Sequence, residues 1–293
     1  MGSANKIPGI SGGIIALALN FYEDLVESIK NIQIKNIFKF KNPFLNVNSS
    51  LLIYISIGII ISYFSTSKVL DLLLLKYEVY VWSVFFGLVI GTILHLINKT
   101  FKWNKSTYTF LIIGISIGIF ISFLEPLREN DNLFFVFICG IISVCGMIIP
   151  GLSGSFLLII LGNYVLLLVD SVNILYDSII ALLTRDIDFV YEQKNIRGLR
   201  IISIFTLGSI SGLIIFSKLM SILLKKYYYK IQSLILGFII GSLGVLWPWK
   251  TKDPLNLEIT RHIPKLNSEF VLSIIYIIIG IFIVMYLSRY DKE

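Results

Sequence analysis

Histidine and cysteine are nearly missing from this chain, which has two of each: His95, His262, Cys139 and Cys145. With so few, there is no H-E-x-x-H pair and no framework of thiols, so neither zinc hydrolase chemistry nor a disulfide scaffold organises the molecule. Cys139 and Cys145 lie in an apolar run with no His beside them, and they read as small packing residues. Ser65-Thr66-Ser67-Lys68 satisfies the short S-x-x-K pattern. Its usual companion motifs are absent, which argues against a membrane hydrolase. Charge is scarce as well, at 15% of residues, against about 25% in an ordinary soluble domain. The net charge of +7 comes from lysines in short stretches between apolar runs, not from a basic face. Nucleic acid is therefore not expected as a partner, and membrane topology accounts for the lysines. No basic stretch followed by an apolar run and a small-residue cleavage site opens at Met1, so insertion is expected to rely on internal spans.

What the chain has in abundance is apolar surface: 56% hydrophobic residues and a mean hydropathy of +0.85. The runs 51–66, 78–97, 108–124, 199–217, 229–247 and 268–287 are long enough, or nearly so, to cross a hydrocarbon core of about 30 Å at 1.5 Å per residue. The reading is an all-α, multi-pass membrane protein, with 51–66 the shortest span. Residues 22–50 and 170–198 are longer and mixed in charge. Leu25, Ile29 and Ile32 recur at helical spacing beside Lys30 and Lys35, which suits a helix lying in the headgroup plane.

One motif occurs twice. Pro8-Gly9-Ile10-Ser11-Gly12-Gly13 returns as Pro150-Gly151-Leu152-Ser153-Gly154-Ser155. A shift of 142 also superposes Leu19, Tyr22 and Leu25 on Leu161, Tyr164 and Leu167. A shift of 150 then carries Gly58, Lys68, Lys76, Tyr77, Gly87 and Gly91 onto Gly208, Lys218, Lys226, Tyr227, Gly237 and Gly241. Coincident Pro, Gly and Lys positions mark an internal duplication, the first thing to look for in a chain of this length. We expect a first repeat over 1–132 (re-entrant element 1–29, spans 51–124) and a second over 133–293 (re-entrant element 133–169, spans 199–287). Each repeat is then a re-entrant helical hairpin plus about three transmembrane helices. Three crossings between the hairpins would make the repeats inverted, the arrangement associated with alternating access. Only seven residues precede Pro8, so the descending limb of the first hairpin is expected to be short or missing.

Non-helical backbone at membrane depth is tolerated only where protein or a water-filled cavity satisfies its polar groups. Pro8 and Pro150 each lack an N–H and block continuation of a preceding helix, while Gly9 and Gly151 allow turn dihedrals. The helix that follows opens with amides that have no intrahelical partner and carry the positive dipole end, a setting for a phosphate or carboxylate. Ser11 and Ser153 are placed to cap those helices or donate to the same anion. The candidate substrate site is therefore Asn5, Pro8, Gly9, Ser11, Gly12 and Gly13 with Pro150, Gly151, Ser153, Gly154 and Ser155. Among the acids near span ends, Glu23, Asp71, Glu125 and Asp170, Glu23 is the first candidate for proton coupling because it follows the first motif. His95 reads as a packed or interfacial imidazole. No metal site and no cofactor are expected. A carrier of another small anion, phosphate or a carboxylate, stands beside a lipid carrier, because helix ends recognise charge and not the tail.

Residues 4–13, the Tyr22-Glu23 that follows, 147–156 with Leu161-Gly162-Asn163-Tyr164, and the late Gly241-Ser242-Leu243-Gly244-Val245-Leu246-Trp247-Pro248-Trp249 resemble the signatures of the bacterial polyprenyl-phosphate transporter family. The likeness spans nearly the whole chain. It implies paired re-entrant hairpins in the bacterial cytoplasmic membrane. It also implies transport of undecaprenyl phosphate, the carrier lipid of envelope synthesis, from the outer to the inner leaflet. Expected partners are undecaprenyl phosphate or a related polyprenyl phosphate, membrane lipids and, as a homo-oligomer, further copies of the chain. The family often has Thr where this chain has Ile14, which removes one hydroxyl donor.

Overall fold

In a bilayer each backbone N–H must find a partner within its own segment, so apolar runs free of proline fold as helices. The structure, a computed structural model, describes residues 12–30, 49–100, 103–151, 153–184, 187–252 and 259–287. In chain order the helices are α1 (Gly12–Ala18), α2 (Tyr22–Lys30), α3 (Ser49–Thr100), α4 (Lys105–Ser122), α5 (Leu133–Ile148) and α6 (Gly154–Ile160). A π-helical turn (Leu166–Asp170) leads into α7 (Ser171–Thr184), followed by α8 (Ile187–Tyr191), α9 (Gln193–Ser242) and α10 (Ser268–Leu287). Five of these segments are long and apolar enough to cross a membrane. The chain is a multi-pass membrane protein.

Two departures from the expected spans have simple causes. The runs 51–66 and 78–97 were expected as separate helices, as were 199–217 and 229–247; α3 and α9 are each two helices, joined end to end at a kink with no loop between them. The intervening residues contain no Gly or Pro to stop a helix. A straight 52-residue helix would measure about 78 Å, more than twice the hydrocarbon core. Each long helix is instead interrupted once, at Tyr77 (φ −136°, ψ 40°) and at Tyr227 (φ −133°, ψ 41°). These tyrosines are equivalent under the shift of 150, and the preceding lysine lies over the ring in both cases, at 5.4 Å for Lys76 and 5.3 Å for Lys226.

The second departure is at 170–198. Instead of a connector in the headgroup plane, the π turn and α7 form a 19-residue apolar segment, Leu166–Thr184, long enough to cross. Its acids, Asp170 and Asp177, fall two helical turns apart and leave the other faces apolar. Nor is the chain wholly helical. Trp247-Pro248-Trp249 ends the last turn of α9, and a short antiparallel hairpin follows, β1 (Lys250–Lys252) with β2 (Ile259–Arg261). Arg261, half-buried, donates to the carbonyls of Ser122 (3.0 Å) and Gly244 (2.8 Å), which closes the C-terminal end of α4. Removal from water lowers its pKa.

The halves exchange partners. The later limb of α3 packs on α10: a Cβ at Gly87 would overlap the Ile277 carbonyl, and one at Gly280 the Val84 carbonyl. Equivalently, the later limb of α9 packs on α4, with Gly237 against the Leu111 carbonyl and Gly114 against that of Leu234. Glycine at these four positions lets the helix backbones touch, the usual small-residue contact between membrane helices. The largest core cluster gathers α1, α2, the later limb of α3 and residues 220–246. Cys139 is fully buried in a second cluster and, like Cys145, is a free thiol.

Candidate functional site

The second copy of the repeated motif is a broken helix. Asn132 starts α5 by accepting from the Phe134 (2.9 Å) and Phe135 (3.4 Å) amides. At 16 residues α5 spans about 24 Å, short of a full hydrocarbon core. Ile149 turns extended, Pro150 prevents further helix, and Gly151 takes φ +92°. Gly151 also lies against Ile239, whose side chain would sit 2.9 Å from a Cβ, so glycine is required here for both dihedral and space. Ser153 then caps α6, its hydroxyl accepting from the Phe156 amide at 3.0 Å and lying 2.9 Å from the Ser155 hydroxyl. The capping role expected for Ser153 is observed. α6 packs closely against α5, with Gly154 against the Ser143 carbonyl.

The far end of α6 is clasped. Gly162 (φ +73°) terminates it, and the fully buried Asn163 side chain accepts from the Asn130 amide (2.9 Å) and donates to the Asn130 carbonyl (2.7 Å).

From Gly12 onward the first half repeats α6 and its terminal turn. Under the shift of 142, α1 (Gly12–Ala18) superposes on α6 (Gly154–Ile160) end for end. Leu19, Asn20 and Phe21 donate to Ile15, Leu17 and Ala16, and their equivalents Leu161, Gly162 and Asn163 donate to Leu157, Ile159 and Leu158. The left-handed residue is Asn20 (φ 55°) where the second copy has Gly162. Gly12 and Gly13 are buried at the start of α1. Asn5, Pro8, Gly9 and Ser11 lie outside the described residues, as do Ile32 and Lys35. Gly12, Gly13, Pro150, Gly151, Ser153 and Gly154 are all buried, and Ser155 is half-buried. Gly12 and Gly13 border one cavity together with Met147 and Ile148, the two residues that lead into Ile149-Pro150. The start of α1 thus faces the end of α5 across that space, and Gly151, Ser153, Gly154 and Ser155 are not in its walls.

Two cavities flank Tyr22. The larger, about 380 Å³, is apolar, with Val26, Leu52, Ile55, Ile59 and Leu213 in its walls beside Gly12 and Gly13. The other, about 280 Å³, is polar and lined by Asn20, Tyr22, Glu23, Tyr228 and Gln232. Tyr22 contributes to both, so its ring forms the partition. Its hydroxyl and the Oε1 of Gln232 are buried with no hydrogen-bond partner. Burial, then the neighbouring Glu23 charge, hold the Tyr22 hydroxyl far above its ordinary pKa, so it remains an O–H donor. Tyr228 stands beside Glu23 and Gln232 in the wall of this cavity. Beyond Glu23, α2 is tied to α9 by Lys225 to Glu27 (2.6 Å) and Lys30 to the Ser221 hydroxyl (3.2 Å).

Among the other acids considered, Glu125 and Asp170 are exposed, away from both cavities. The Asp71 side chain lies outside the described residues. Sequence reasoning missed Tyr228, Gln232 and Asn20. A signal existed: Tyr228 and Gln232 are the equivalents of Glu78 and Trp82, another polar i, i+4 pair, joined at 3.3 Å.

Residues 1–263 match the VCA0040-like family, described as undecaprenyl phosphate translocase-like. The chain belongs to this family. Among curated relatives, it is similar to a polyprenyl-phosphate transporter of Vibrio cholerae, 32% identical over 85% of this chain and 75% of the relative. A second polyprenyl-phosphate transporter, from Staphylococcus aureus, is 28% identical over the whole chain and 94% of the relative. No solved structure matches. Family and relatives are transporters, and the resemblance seen in the Pro-Gly motifs is upheld; the chain is a transporter and not an enzyme.

Proposed function

We propose that this protein carries undecaprenyl phosphate, or a related polyprenyl phosphate, from the outer to the inner leaflet of the bacterial cytoplasmic membrane for reuse in envelope synthesis. The observation that supports this reading is the buried start of α1, Gly12-Gly13, which borders a cavity together with the end of α5 that leads into Ile149-Pro150, while α1 and α6 are alike in hydrogen bonding at their far ends. Family membership and the relatives' names identify the cargo class. The two elements are re-entrant hairpins of an inverted repeat, and the phosphate is held between them by Gly12, Gly13, Gly151, Gly154 and the Ser153–Ser155 pair, with Asn5, Pro8, Gly9, Ser11 and Pro150 completing the motifs.

Magnitudes constrain how that site works. Helices of seven residues hold only a partial macrodipole, of which even a full one contributes about 0.3–1 kcal/mol at an exposed end. Hydrogen bonds to a charged group contribute roughly 1.5–3 kcal/mol each. The turn amides and hydroxyls therefore do most of the binding, and Ser155 rotates from Ser153 towards the phosphate when cargo arrives. Glu23 is the coupling acid, since it lies beside two polar groups, Tyr22 and Gln232, whose buried atoms have no protein partner.

The test is translocation of undecaprenyl phosphate by purified protein in proteoliposomes. Unsubstituted protein is expected to move the lipid, and the Ser153→Ala, Ser155→Ala double variant to do so about tenfold more slowly, the loss expected for roughly one charged hydrogen bond. Equal rates would remove the hydroxyls from the site. Flux of inorganic phosphate without lipid transport would replace this reading with that of a small-anion carrier.

A further inference from the structure

We infer that the 380 Å³ apolar cavity beside Gly12 and Gly13 is the seat of the first isoprene units of the cargo, a hydrocarbon site contiguous with the phosphate site. This rests on the function proposed above and adds to it a role for the tail.

The walls of the cavity come from α1, α2, α3, α5 and α9. In the second half, the face of α9 carrying Phe205, Gly208, Ser209 and Gly212 is covered by α5. A Cβ at Gly208 would overlap the Phe137 carbonyl, one at Gly212 would meet the Ile141 backbone, and Gly140 sits against Phe205 and Ser209. The equivalents of Phe205 and Ser209 under the shift of 150 are Ile55 and Ile59 of α3. These line the cavity, and a Cβ at Gly58, the equivalent of Gly208, would meet nothing within 4 Å. Ser209 and Leu213 of α9 thus face Ile55 and Ile59 of α3 across the same space.

The chemistry of the walls selects the occupant. Leu52, Ile55, Ile59, Val144 and Leu213 make the walls mainly apolar, with Ser56 and Ser209 the hydroxyls beside Tyr22, and an unfilled apolar cavity costs stability. The volume falls within the range of small-ligand clefts. A branched hydrocarbon matches both properties. Continuity supplies the rest: Gly12 and Gly13 belong to the first motif, and Met147-Ile148 lead into the second, so a chain leaving a phosphate held between them enters this space directly. Tyr22 then separates hydrocarbon on one side from the Glu23 cavity on the other. The tail is thereby kept from the polar side.

Ser56 also lines the cavity and is a small side chain on its rim. In nanodiscs, Ser56→Trp is expected to weaken binding of undecaprenyl phosphate by about tenfold, because the indole displaces hydrocarbon that would otherwise be buried. Methyl phosphate, which has the headgroup without the tail, should compete for the phosphate site with the same inhibition constant in both proteins. A second measurement leaves the sequence intact: undecaprenyl phosphate with a diazirine on its first isoprene units should label peptides containing 52–59 or 209–213. Unchanged lipid affinity in Ser56→Trp, or label confined to other peptides, overturns the tail site while leaving the proposed function standing. If unsubstituted protein does not bind undecaprenyl phosphate at all, that function falls, and this inference with it.

Discussion

Asn20 shows how much one backbone angle decides. It ends α1 at φ 55°, where the second copy has Gly162 at φ +73°. Among non-glycine residues, asparagine tolerates the left-handed region best, and a β-branched residue there is strained. Asn20→Gly should therefore be neutral or slightly stabilising. Asn20→Val should lower stability by roughly 1–2 kcal/mol, the cost of left-handed geometry for an L side chain. Thermal unfolding in detergent separates the two variants, and equal midpoints would remove the strain argument. At the same scale, Gly87, Gly114, Gly237 and Gly280 act through the absence of a side chain, since each would place a Cβ against a neighbouring helix carbonyl.

Among the elements, α2 has the tie most sensitive to solution conditions. Its Glu27 accepts from Lys225, and this hydrogen bond and charge hold the Glu27 carboxyl below its usual pKa. A carboxyl depressed in the folded state contributes stability at pH values above its unfolded pKa and loses it as pH falls through the folded value. Hydrogen-exchange protection of 22–30 should accordingly decline on acidification from about pH 6 to about pH 3. Glu27→Gln should start with less protection and lack that decline across the same range. Because the pair is largely solvent-exposed, the change is expected to be local, without unfolding of the bundle. The broken elements have no such surface tie, since α6 is held by buried contacts with Ser143 and the Asn130–Asn163 clasp.

For the whole molecule, the exchange of partners between halves has a direct consequence. The later limb of α3 buries its glycine face on α10, and that of α9 buries its own on α4. Neither half can complete its packing alone. Co-expressed as separate chains, 1–132 and 133–293 should co-purify through a tag on either one, whereas each expressed alone should be degraded or aggregate. Recovery of a stable, folded single half would show that the exchanged contacts are not essential.

Much of this was legible before any coordinates. Pro150, Gly151, Ser153 and Gly154 announced a broken, capped helix, because ring closure, a missing Cβ and a hydroxyl acceptor act on their own backbone whatever surrounds them. The duplication was equally plain, and Tyr77 and Tyr227 were paired by it even though neither residue type signals a helix interruption. Composition fixed the solvent: a chain 56% hydrophobic with 15% charge must lie in a membrane. Tertiary contact decided the rest. Whether residues 67–77 form a loop or continue a helix, and which glycine faces which carbonyl, depend on partners far away in the chain. The polar pocket also needed the fold, because Tyr22 and Glu23 meet Tyr228 and Gln232 only when α2 lies along α9. So did the apolar cavity, whose walls are drawn from α1, α2, α3, α5 and α9. Local chemistry can be read along a sequence; an open space between segments is a property of how they pack.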